Sequence, residues 1–263
     1  AFNCPTIYES HMPVRGIVSR VSFQLLVRFY SFKRLVCISQ SLADYYQTTY
    51  GLPATHIVVA HDGADIQCPD IDHLSVPANQ SGAPHIGYFG SLGSRESGRG
   101  IDLIQMLAKH FPAAQFDIVG GNPGEVIYWK NTIGLPNVTF HGRLPHSSLP
   151  EMYRKCDILL APYQRKVVVV GGTDTSSWMS PLKIFEYMAA GKAIVCSDIT
   201  VLREVLEPDR TALLVSPDNL DAWIMALTRL IGDAALRERL GNAAQREFET
   251  KYTWGQRARK VLA

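Results

Sequence analysis

The chain alternates between short apolar runs and longer stretches whose apolar residues recur at helical spacing. From residue 84 onward the apolar runs cover residues 85–90, 115–119, 137–141, 157–161, 193–196 and 212–215. Helical sequence separates them, beginning with residues 101–111. Strands of four to six apolar residues that alternate with ten-residue helices are typical of βαβ units. The pattern therefore predicts an α/β domain with a parallel sheet covered on both faces.

The first 65 residues show the same alternation, but less of it. Strands are predicted at 6–9, 35–38 and 57–60, with helices over 17–32 and 41–49. Two or three βα units do not close a domain, so residues 1–68 are interpreted as the end of an N-terminal lobe whose beginning is missing. Residues 69–84 are polar without an apolar period and predict a linker. Residues 85–250 form the second lobe, and helices are expected from 218 to 262 with a break at 251–253.

Composition narrows the class of protein. Of 263 residues 46% are apolar and 19% charged, which is enough apolar material for a large core. The net charge of +2 is spread over both signs and does not fit a nucleic-acid binder. The cysteine number is odd, the spacing is wide, and no metal-binding pattern appears, so a reducing, cytoplasmic compartment is expected and no metal site. The cysteines are Cys4, Cys37, Cys68, Cys156 and Cys196.

The segment SPLKIFEYMAAG, from Ser180 to Gly191, predicts a helix whose N-terminus faces a ligand. Ser180 suits the N-cap, Pro181 suits the first helical position, and Gly191 stands where a stop is expected. Lys183 lies in the first turn, where the helix dipole disfavours a cation unless an anion binds there. Glu186 shares its face and could bind ribose hydroxyls. A surface Lys–Glu pair of little energetic weight is the alternative.

A second helix start follows the strand at 85–90. Residues 91–100, SLGSRESGRG, form a glycine-rich loop that leads into the helix at 101–111. Such loops let backbone amides approach a diphosphate. Arg99 stands at this helix start, again a cation where the dipole disfavours one. A solvated loop arginine is the alternative, but two helix starts with misplaced cations favour an anion site.

Several motifs occur in a fixed order: FGS from 89, GRGIDL from 98, VTFHG from 138, DILLAP from 157, and SPLKIFEYMAAGKAIV from 180. In this order they resemble the retaining GT4-type (group 1) glycosyltransferases. YESH at 8–11, CISQS at 37–41 and VAHDGAD at 59–65 resemble the end of that family's acceptor lobe. The resemblance implies a GT-B fold of two Rossmann-like lobes, the first one partial here. It also implies that residues 251–263 pack back on the N-terminal lobe.

The resemblance implies roles for individual residues. Arg99 and Lys183 match the basic residues that hold the donor diphosphate, and Glu186 matches the second glutamate of the Glu-x7-Glu motif, which binds ribose. His11 matches a histidine that reaches toward the transferred sugar, although a hydrogen-bonded strand-end histidine is the alternative. His11, Arg99 and Lys183 are the expected catalytic residues. The other expected donor ligands are Gly90, Ser91, His141, Gly142, Leu144, Thr173, Asp174, Ser180, Pro181 and Leu182.

Two positions depart from the family pattern. Trp178 stands where the first glutamate of Glu-x7-Glu belongs, and Ser91 replaces an arginine expected after the glycine of the loop. The loop 171–177 is rich in hydroxyls, so Thr173 or Asp174 could supply the missing sugar contact. Alternatively, both residues merely build a flexible loop.

The stretch from 14 to 34 is basic and carries no acidic residue. Its apolar residues recur at helical spacing, at Val14, Val18, Val21, Leu25 and Phe29. Such a helix suits an anionic membrane surface, where lipid-linked acceptors are found. A helix buried on the acceptor-lobe sheet, basic on its outer face, explains the pattern as well. The basic residues are Arg15, Arg20, Arg28, Lys33 and Arg34.

Together these features predict transfer of a sugar from a nucleotide diphosphate sugar to a hydroxyl of a sugar or lipid-linked acceptor, with retention and without metal or other cofactor. The expected setting is polysaccharide or glycolipid synthesis at the inner face of the membrane. A nucleotide-sugar-binding module without turnover is one rival, favoured by Trp178. A GT-B-fold epimerase is another, but the matched segments lack its acid/base residues. A dehydrogenase is disfavoured because no Gly-x-Gly-x-x-Gly follows the first strand.

Overall fold

The computed structural model describes residues 4–29, 31–65, 84–169 and 171–263, whose strands form two parallel sheets. The N-terminal lobe contributes β1 (Thr6–Ser10), β2 (Phe32–Cys37) and β3 (Ile57–Val59), paired in that order. The C-terminal lobe contributes β4 (His85–Phe89), β5 (Gln115–Val119), β6 (Val138–Gly142), β7 (Ile158–Ala161), β8 (Ala193–Ser197) and β9 (Leu213–Val215). Their order is β6-β5-β4-β7-β8-β9. The predicted α/β class with two parallel sheets is confirmed.

Helices connect the strands in both lobes. The N-terminal lobe contains α1 (Ile17–Leu26) and α2 (Gln40–Tyr50). The C-terminal lobe contains α3 (Ile101–His110), α4 (Pro123–Ile133), α5 (Leu149–Lys155), α6 (Leu182–Ala189) and α7 (Thr200–Arg203). The chain ends in α8 (Leu220–Gly232), α9 (Ala234–Lys251) and α10 (Trp254–Leu262). No helix in the described ranges combines the length and apolarity that a membrane crossing requires.

Two predicted helix boundaries are wrong. The helix predicted over 17–32 ends at Leu26, and β2 begins at Phe32 because that side chain is buried in the lobe core. The basic pair at 33–34 concealed the start of this strand. The helical stretch predicted from 218 to 251 is interrupted at Asp233, whose side chain accepts the Leu236 amide at 2.8 Å and caps α9. A capping aspartate inside an otherwise helical pattern is easily overlooked.

The six-stranded sheet is covered on both faces, as the apolar strands predict. One face packs against α3, α4 and α8 and includes Trp129 and Trp223. The other packs against α6 and α9 and includes Phe185, Tyr187 and Phe248. Residues of β4 and β7 belong to both layers. Cys37, Cys156 and Cys196 are buried free thiols and Cys4 is exposed, while Cys68 lies outside the described residues.

The C-terminal helix contacts the N-terminal lobe. The Ala64 amide donates to the Tyr252 carbonyl at 3.2 Å, just before α10. Arg257 Nε donates to the His61 carbonyl at 3.1 Å, and Arg34 Nη1 donates to the Val261 carbonyl at 3.3 Å. These bonds place α10 against β2 and the end of β3. The predicted linker, residues 69–84, lies outside the described residues except for its last position.

Candidate functional site

The strand order places a crevice between β4 and β7. The chain runs outward from β4 through β5 to β6, then returns to β7 and continues through β8 to β9 on the other side. Ligands of open parallel sheets bind at such a reversal, beyond the carboxyl ends of the strands. The glycine-rich loop after β4, the segment after β7 and the start of α6 all meet there.

The glycine-rich loop packs tightly on the segment that follows β7. The Gln164 amide donates to the Gly98 carbonyl at 2.9 Å. Gly100 caps α3 in a left-handed conformation, with φ of 78°, and a Cβ there would come within 1.8 Å of the Pro162 carbonyl oxygen. Only glycine fits this position. The loop therefore holds Arg99, the residue before this cap, at the edge of the crevice.

Lys183 occupies the centre of the crevice. Its Nζ lies 4.0 Å from the ring centroid of Tyr88 and 4.9 Å from that of Tyr163, so two aromatic faces hold the ammonium group. Gly90 brings the backbone against it, because a Cβ at Gly90 would lie 2.9 Å from Nζ. The chain beyond β4 thus passes directly over the lysine, as a phosphate-binding loop requires.

The charge of Lys183 is poorly compensated. Burial, reinforced by the Arg99 guanidinium, lowers the pKa of Lys183 to about 7, although Glu186 acts in the opposite direction. Among the described residues no carboxylate lies within ion-pair distance of Lys183 or Arg99. The Nε of Arg99 is buried without a hydrogen-bond partner. Two basic groups that repel each other and have no carboxylate partner among the described residues form a site prepared for an anion.

Glu186 lies on the same face of α6 as Lys183 and is held by a residue that the sequence did not reveal. Tyr153, on α5, donates its hydroxyl to Glu186 Oε2 at 3.0 Å. Burial, followed by the nearby Glu186 charge, raises the pKa of Tyr153, so its hydroxyl remains a donor at neutral pH. His146 Nε2 lies 3.9 Å from Oε1 of the same carboxylate. The carboxylate is therefore oriented while its side chain remains partly exposed.

The start of α6 differs from the prediction by one residue. Pro181 is extended and is the N-cap, and no side chain caps the helix. The predicted capping role of Ser180 is wrong, because its Oγ accepts the Asp62 amide of the N-terminal lobe at 2.9 Å. Leu182 is the first helical residue, so its amide belongs to the uncapped end. Gly191 adopts a left-handed conformation just after the helix, as predicted.

The residues predicted near the nucleobase lie at the end of β6 and just after it. His141 is held by its Nε2 at 2.7 Å from Asp117 Oδ1, and His85 Nδ1 lies 3.0 Å from the other oxygen of that carboxylate. The carbonyl of Gly142 accepts the Gly120 amide at 2.7 Å. Leu144 packs on the apolar layer under α6. The side chain of His141 is thus occupied, and contacts from this segment to a base stay a prediction.

The loop from 171 to 177 forms hydrogen bonds within itself and to the residues just before it. Asp174 Oδ1 accepts the Val167 amide at 3.2 Å and the Ser176 amide at 3.0 Å. The Thr173 carbonyl accepts the Val169 amide at 3.0 Å. Asp174 therefore has a structural task in its own loop. After β4, the exposed Ser91 uses its carbonyl to accept the Tyr88 hydroxyl at 2.7 Å.

Trp178, at the position of the absent glutamate, faces the N-terminal lobe. Its ring packs on the core of that lobe, and the guanidinium of Arg15 lies 5.8 Å from the ring centroid. Its carbonyl accepts the Ser39 hydroxyl at 3.0 Å, while its buried Nε1 has no partner in the described residues. This position thus joins the two lobes.

The other contacts between the lobes are polar and paired. Glu204, after α7, accepts the backbone amides of Gln40 at 2.6 Å and Ser41 at 3.0 Å. It also accepts the Ser41 hydroxyl at 2.9 Å and lies 2.9 Å from His61 Nε2. Its carboxylate thus meets the N-terminus of α2, which the helix dipole favours.

His11 lies just after β1, exposed over 58% of its side chain. Its Nε2 lies 2.8 Å from Glu9 Oε1. Asp62, which follows β3 at the same edge of this small sheet, donates its amide to Ser180 Oγ. The carboxyl edge of the sheet therefore faces the start of α6. The structure thus places His11 on the lobe surface that meets the donor lobe.

A cavity of 710 Å³ lies between α2 and the loops of the C-terminal lobe. Hydroxyl side chains and the Trp178 ring contribute to its walls, together with Asp44, Asp198, Arg165 and Arg203. The predicted donor ligands are not among the described residues that line it. Its lining residues thus differ from the residues that surround Lys183.

Comparison with curated proteins gives relatives of moderate similarity. The phosphatidyl-myo-inositol mannosyltransferase of Mycobacterium tuberculosis is 26% identical over 206 residues, which cover 73% of this chain and 50% of that protein. The sulfoquinovosyl transferase of Arabidopsis thaliana is 24% identical over 181 residues, which cover 68% of this chain and 32% of that protein. The chain spans half or less of the length of these relatives.

Solved structures share the fold. The sucrose-phosphate synthase of Thermosynechococcus elongatus has a TM-score of 0.73 at 19% identity, over 99% of this chain and 67% of that one. Anabaena HepE, solved in complex with UDP, has a TM-score of 0.72 at 19% identity, over 98% and 71%. These likenesses confirm the GT-B fold. The family model of the group 1 glycosyl transferases matches residues 83–233, more than half of the chain, and the chain therefore belongs to that family.

Proposed function

We propose that the protein moves a sugar from a nucleotide diphosphate sugar to an acceptor hydroxyl, with retention at the anomeric carbon. One observation carries the proposal: Lys183 lies beside Gly90 and is repelled by Arg99, and neither has a carboxylate partner in the described residues. Glu186 lies one turn along α6. A diphosphate would supply the missing negative charge, and Glu186 would accept hydrogen bonds from ribose hydroxyls. The UDP complex of Anabaena HepE, a protein of the same fold, supports a nucleotide ligand.

The role of the two basic residues in the reaction follows from the charge of the leaving diphosphate. As the bond between the anomeric carbon and the diphosphate oxygen breaks, negative charge grows on the diphosphate, and Lys183 and Arg99 stabilise it. The acceptor oxygen forms the new bond on the same face of the sugar, and its proton passes to the leaving phosphate oxygen. His11 contacts the transferred sugar from the other lobe. This route uses no metal and no enzyme nucleophile.

The test is donor turnover by the full-length protein. UDP-glucose, GDP-mannose and ADP-glucose are each incubated with the protein, and release of nucleoside diphosphate is measured. One donor should be used in preference, and Lys183→Ala and Glu186→Ala should both weaken its use. Equal binding and hydrolysis of every donor by wild type and both variants would refute the site.

A binding module without turnover is the second candidate, because Trp178 replaces the glutamate expected to hold the sugar and instead packs between the lobes. The same experiment separates the two functions. Tight binding of a nucleotide sugar without release of nucleoside diphosphate, in the presence of sugar or lipid-linked acceptors, would establish the module.

A cytoplasmic location at an anionic membrane surface fits this function, and the names of the relatives suggest a glycolipid or polysaccharide product. In the described structure α1 buries only Phe23 among its residues. Its apolar stripe is exposed, and Arg15, Arg20 and Arg28 flank it with exposed basic groups. Of the stripe predicted from the sequence, Val18, Val21, Leu25 and Phe29 are exposed and Ile17 is exposed beside them, whereas Val14 packs on the core of the lobe.

Membrane contact is tested by sedimentation with vesicles of phosphatidylglycerol and of phosphatidylcholine. The protein should sediment with the anionic vesicles. The double variant Val21→Glu, Leu25→Glu should not sediment with them, and its donor turnover with a soluble acceptor should be unchanged. Equal sedimentation of wild type and variant would rule out α1 as the contact.

A further inference from the structure

We propose that Arg257, on the C-terminal helix, is a positioning residue for His11 and acts through Glu9. The proposal rests on the proposed function, in which His11 contacts the transferred sugar. It adds a residue that lies 246 positions away in sequence, on an element that does not itself reach the donor.

The contacts form a chain across three elements. Arg257 Nη2 donates to Glu9 Oε1 at 2.7 Å, and the same oxygen lies 2.8 Å from His11 Nε2. Arg257 is itself fixed, because its Nε donates to the His61 carbonyl at 3.1 Å and lies 3.8 Å from Asp62 Oδ1. Its side chain is only 13% exposed. These partners hold the mostly buried guanidinium in one orientation. Its hydrogen bond to Oε1 in turn fixes the position of the Glu9 carboxylate.

The chemistry of Glu9 transmits this order to the imidazole. Burial raises the pKa of Glu9, but the hydrogen bonds and charges of Arg257 and His11 outweigh burial, so its net pKa is lowered. An ionised carboxylate only accepts hydrogen bonds. Neutral His11 must therefore carry its proton on Nε2, and Nδ1 remains free as an acceptor toward a sugar hydroxyl. Without Arg257, Glu9 loses its fixed donor and His11 loses a defined tautomer and ring orientation.

The attachment of α10 does not depend on Arg257 alone. Arg34 holds the far end of the helix through the Val261 carbonyl, and Thr253 caps its beginning by accepting the Gln256 amide at 3.1 Å. Substitution of Arg257 should therefore leave the helix in place. On the same helix, exposed Arg259 contacts Gln256 and offers a matched control.

The experiment compares Arg257→Gln, Arg257→Lys, Arg259→Gln and His11→Ala in the full-length protein. Turnover of UDP-glucose, GDP-mannose and ADP-glucose gives kcat and KM, and long-range ¹H–¹⁵N spectra give the His11 tautomer. Arg257→Gln should lower kcat by about 10- to 100-fold, since a misplacement of about 1 Å can cost about 100-fold in rate, and donor KM should stay within about twofold. Its His11 signal should change from the Nε2–H form to a mixture. Arg257→Lys should recover part of the loss, and Arg259→Gln should match wild type.

Two outcomes decide the matter separately. If His11→Ala lowers kcat but Arg257→Gln changes neither kcat nor the His11 tautomer, the positioning role is wrong. If His11→Ala leaves turnover unchanged, the proposed contact of His11 with the sugar fails, and the tautomer of the Arg257→Gln protein still decides whether Arg257 orders the ring.

Discussion

The cations of the donor crevice and those at the lobe junction have opposite surroundings. In the crevice, Lys183 rests on aromatic rings and Arg99 has a buried nitrogen without a partner. At the junction, Arg257 is paired with Glu9, and Arg34 donates to the Val261 carbonyl. Both regions are polar and partly buried, but only the junction satisfies its own charges. A folded protein rarely leaves such groups unpaired unless a ligand completes them. The difference therefore distinguishes groups that bind the donor from groups that hold the two lobes together.

The largest effect is expected on donor affinity, when the charge of Lys183 is removed. Lys183→Met should weaken binding of a nucleotide sugar about 100-fold, because a partly buried cation opposite a diphosphate is worth roughly 3 kcal/mol. The donor-free protein should melt about 2–4 °C higher, since an uncompensated charge has left the interior. Calorimetric titration and thermal unfolding measure the two effects. Lys155→Met, which removes an exposed lysine paired with Glu151, is the control. A loss of both affinity and stability in Lys183→Met would contradict the contrast.

The same lysine predicts that donor binding depends on pH. In the donor-free protein its pKa is about 7, and a bound diphosphate raises it. Binding then takes up a proton, and affinity falls above pH 7 by up to about tenfold per pH unit until the pKa of the complex is reached. A nucleotide sugar has no phosphate that titrates in this range, so the slope reports the protein. Titrations in two buffers of different ionisation enthalpy should show the uptake, and Lys183→Met should abolish it. Constant affinity from pH 6.5 to 8.5 would show that Lys183 stays charged without donor.

At the junction the expected effect is on stability. Glu204→Gln should cost about 1–2 kcal/mol, because several donors to a carboxylate become donors to an amide. Burial raises the pKa of Glu204, but His61 and the amides of Gln40 and Ser41 outweigh it, so its net pKa is lowered. Its contribution is thus present at neutral pH and is lost as pH falls below the usual carboxyl range. Unfolding in urea at pH 7 and pH 3 should show a smaller difference between variant and wild type at pH 3.

The exposed pair Glu151–Lys155 supplies the control for that comparison. Glu151→Gln should leave stability near that of the wild type at both pH values, because water and salt screen an exposed pair. Donor affinity should remain near wild type in Glu204→Gln, since Glu204 contacts the other lobe and not the crevice. A large loss of affinity would mean that lobe contact and donor binding are coupled.

The sequence could predict those features that depend on local pattern. Buried parallel strands produce continuous apolar runs, and the cation in the first turn of α6 is visible as a charge that opposes the helix dipole. Contacts between distant segments leave no such mark. Tyr153 reaches Glu186 over 33 positions, and Arg257 reaches Glu9 over 248. The capping role predicted for Ser180 fails for the same reason, because its hydroxyl accepts the Asp62 amide of the other lobe.

The smallest effect is expected where the motif is broken. If Trp178 joins the lobes and does not line the donor crevice, Trp178→Phe should leave donor affinity within about threefold and reduce stability by about 1 kcal/mol, the order of a shortened aromatic contact. The indole nitrogen makes no hydrogen bond to the described residues, so its loss removes packing and the contact with Arg15 only. Calorimetry with the preferred nucleotide sugar, beside thermal unfolding, measures both quantities. A drop in affinity beyond tenfold at unchanged stability would place the ring against the donor sugar, and the division between binding and holding groups would then have to include Trp178 on the binding side.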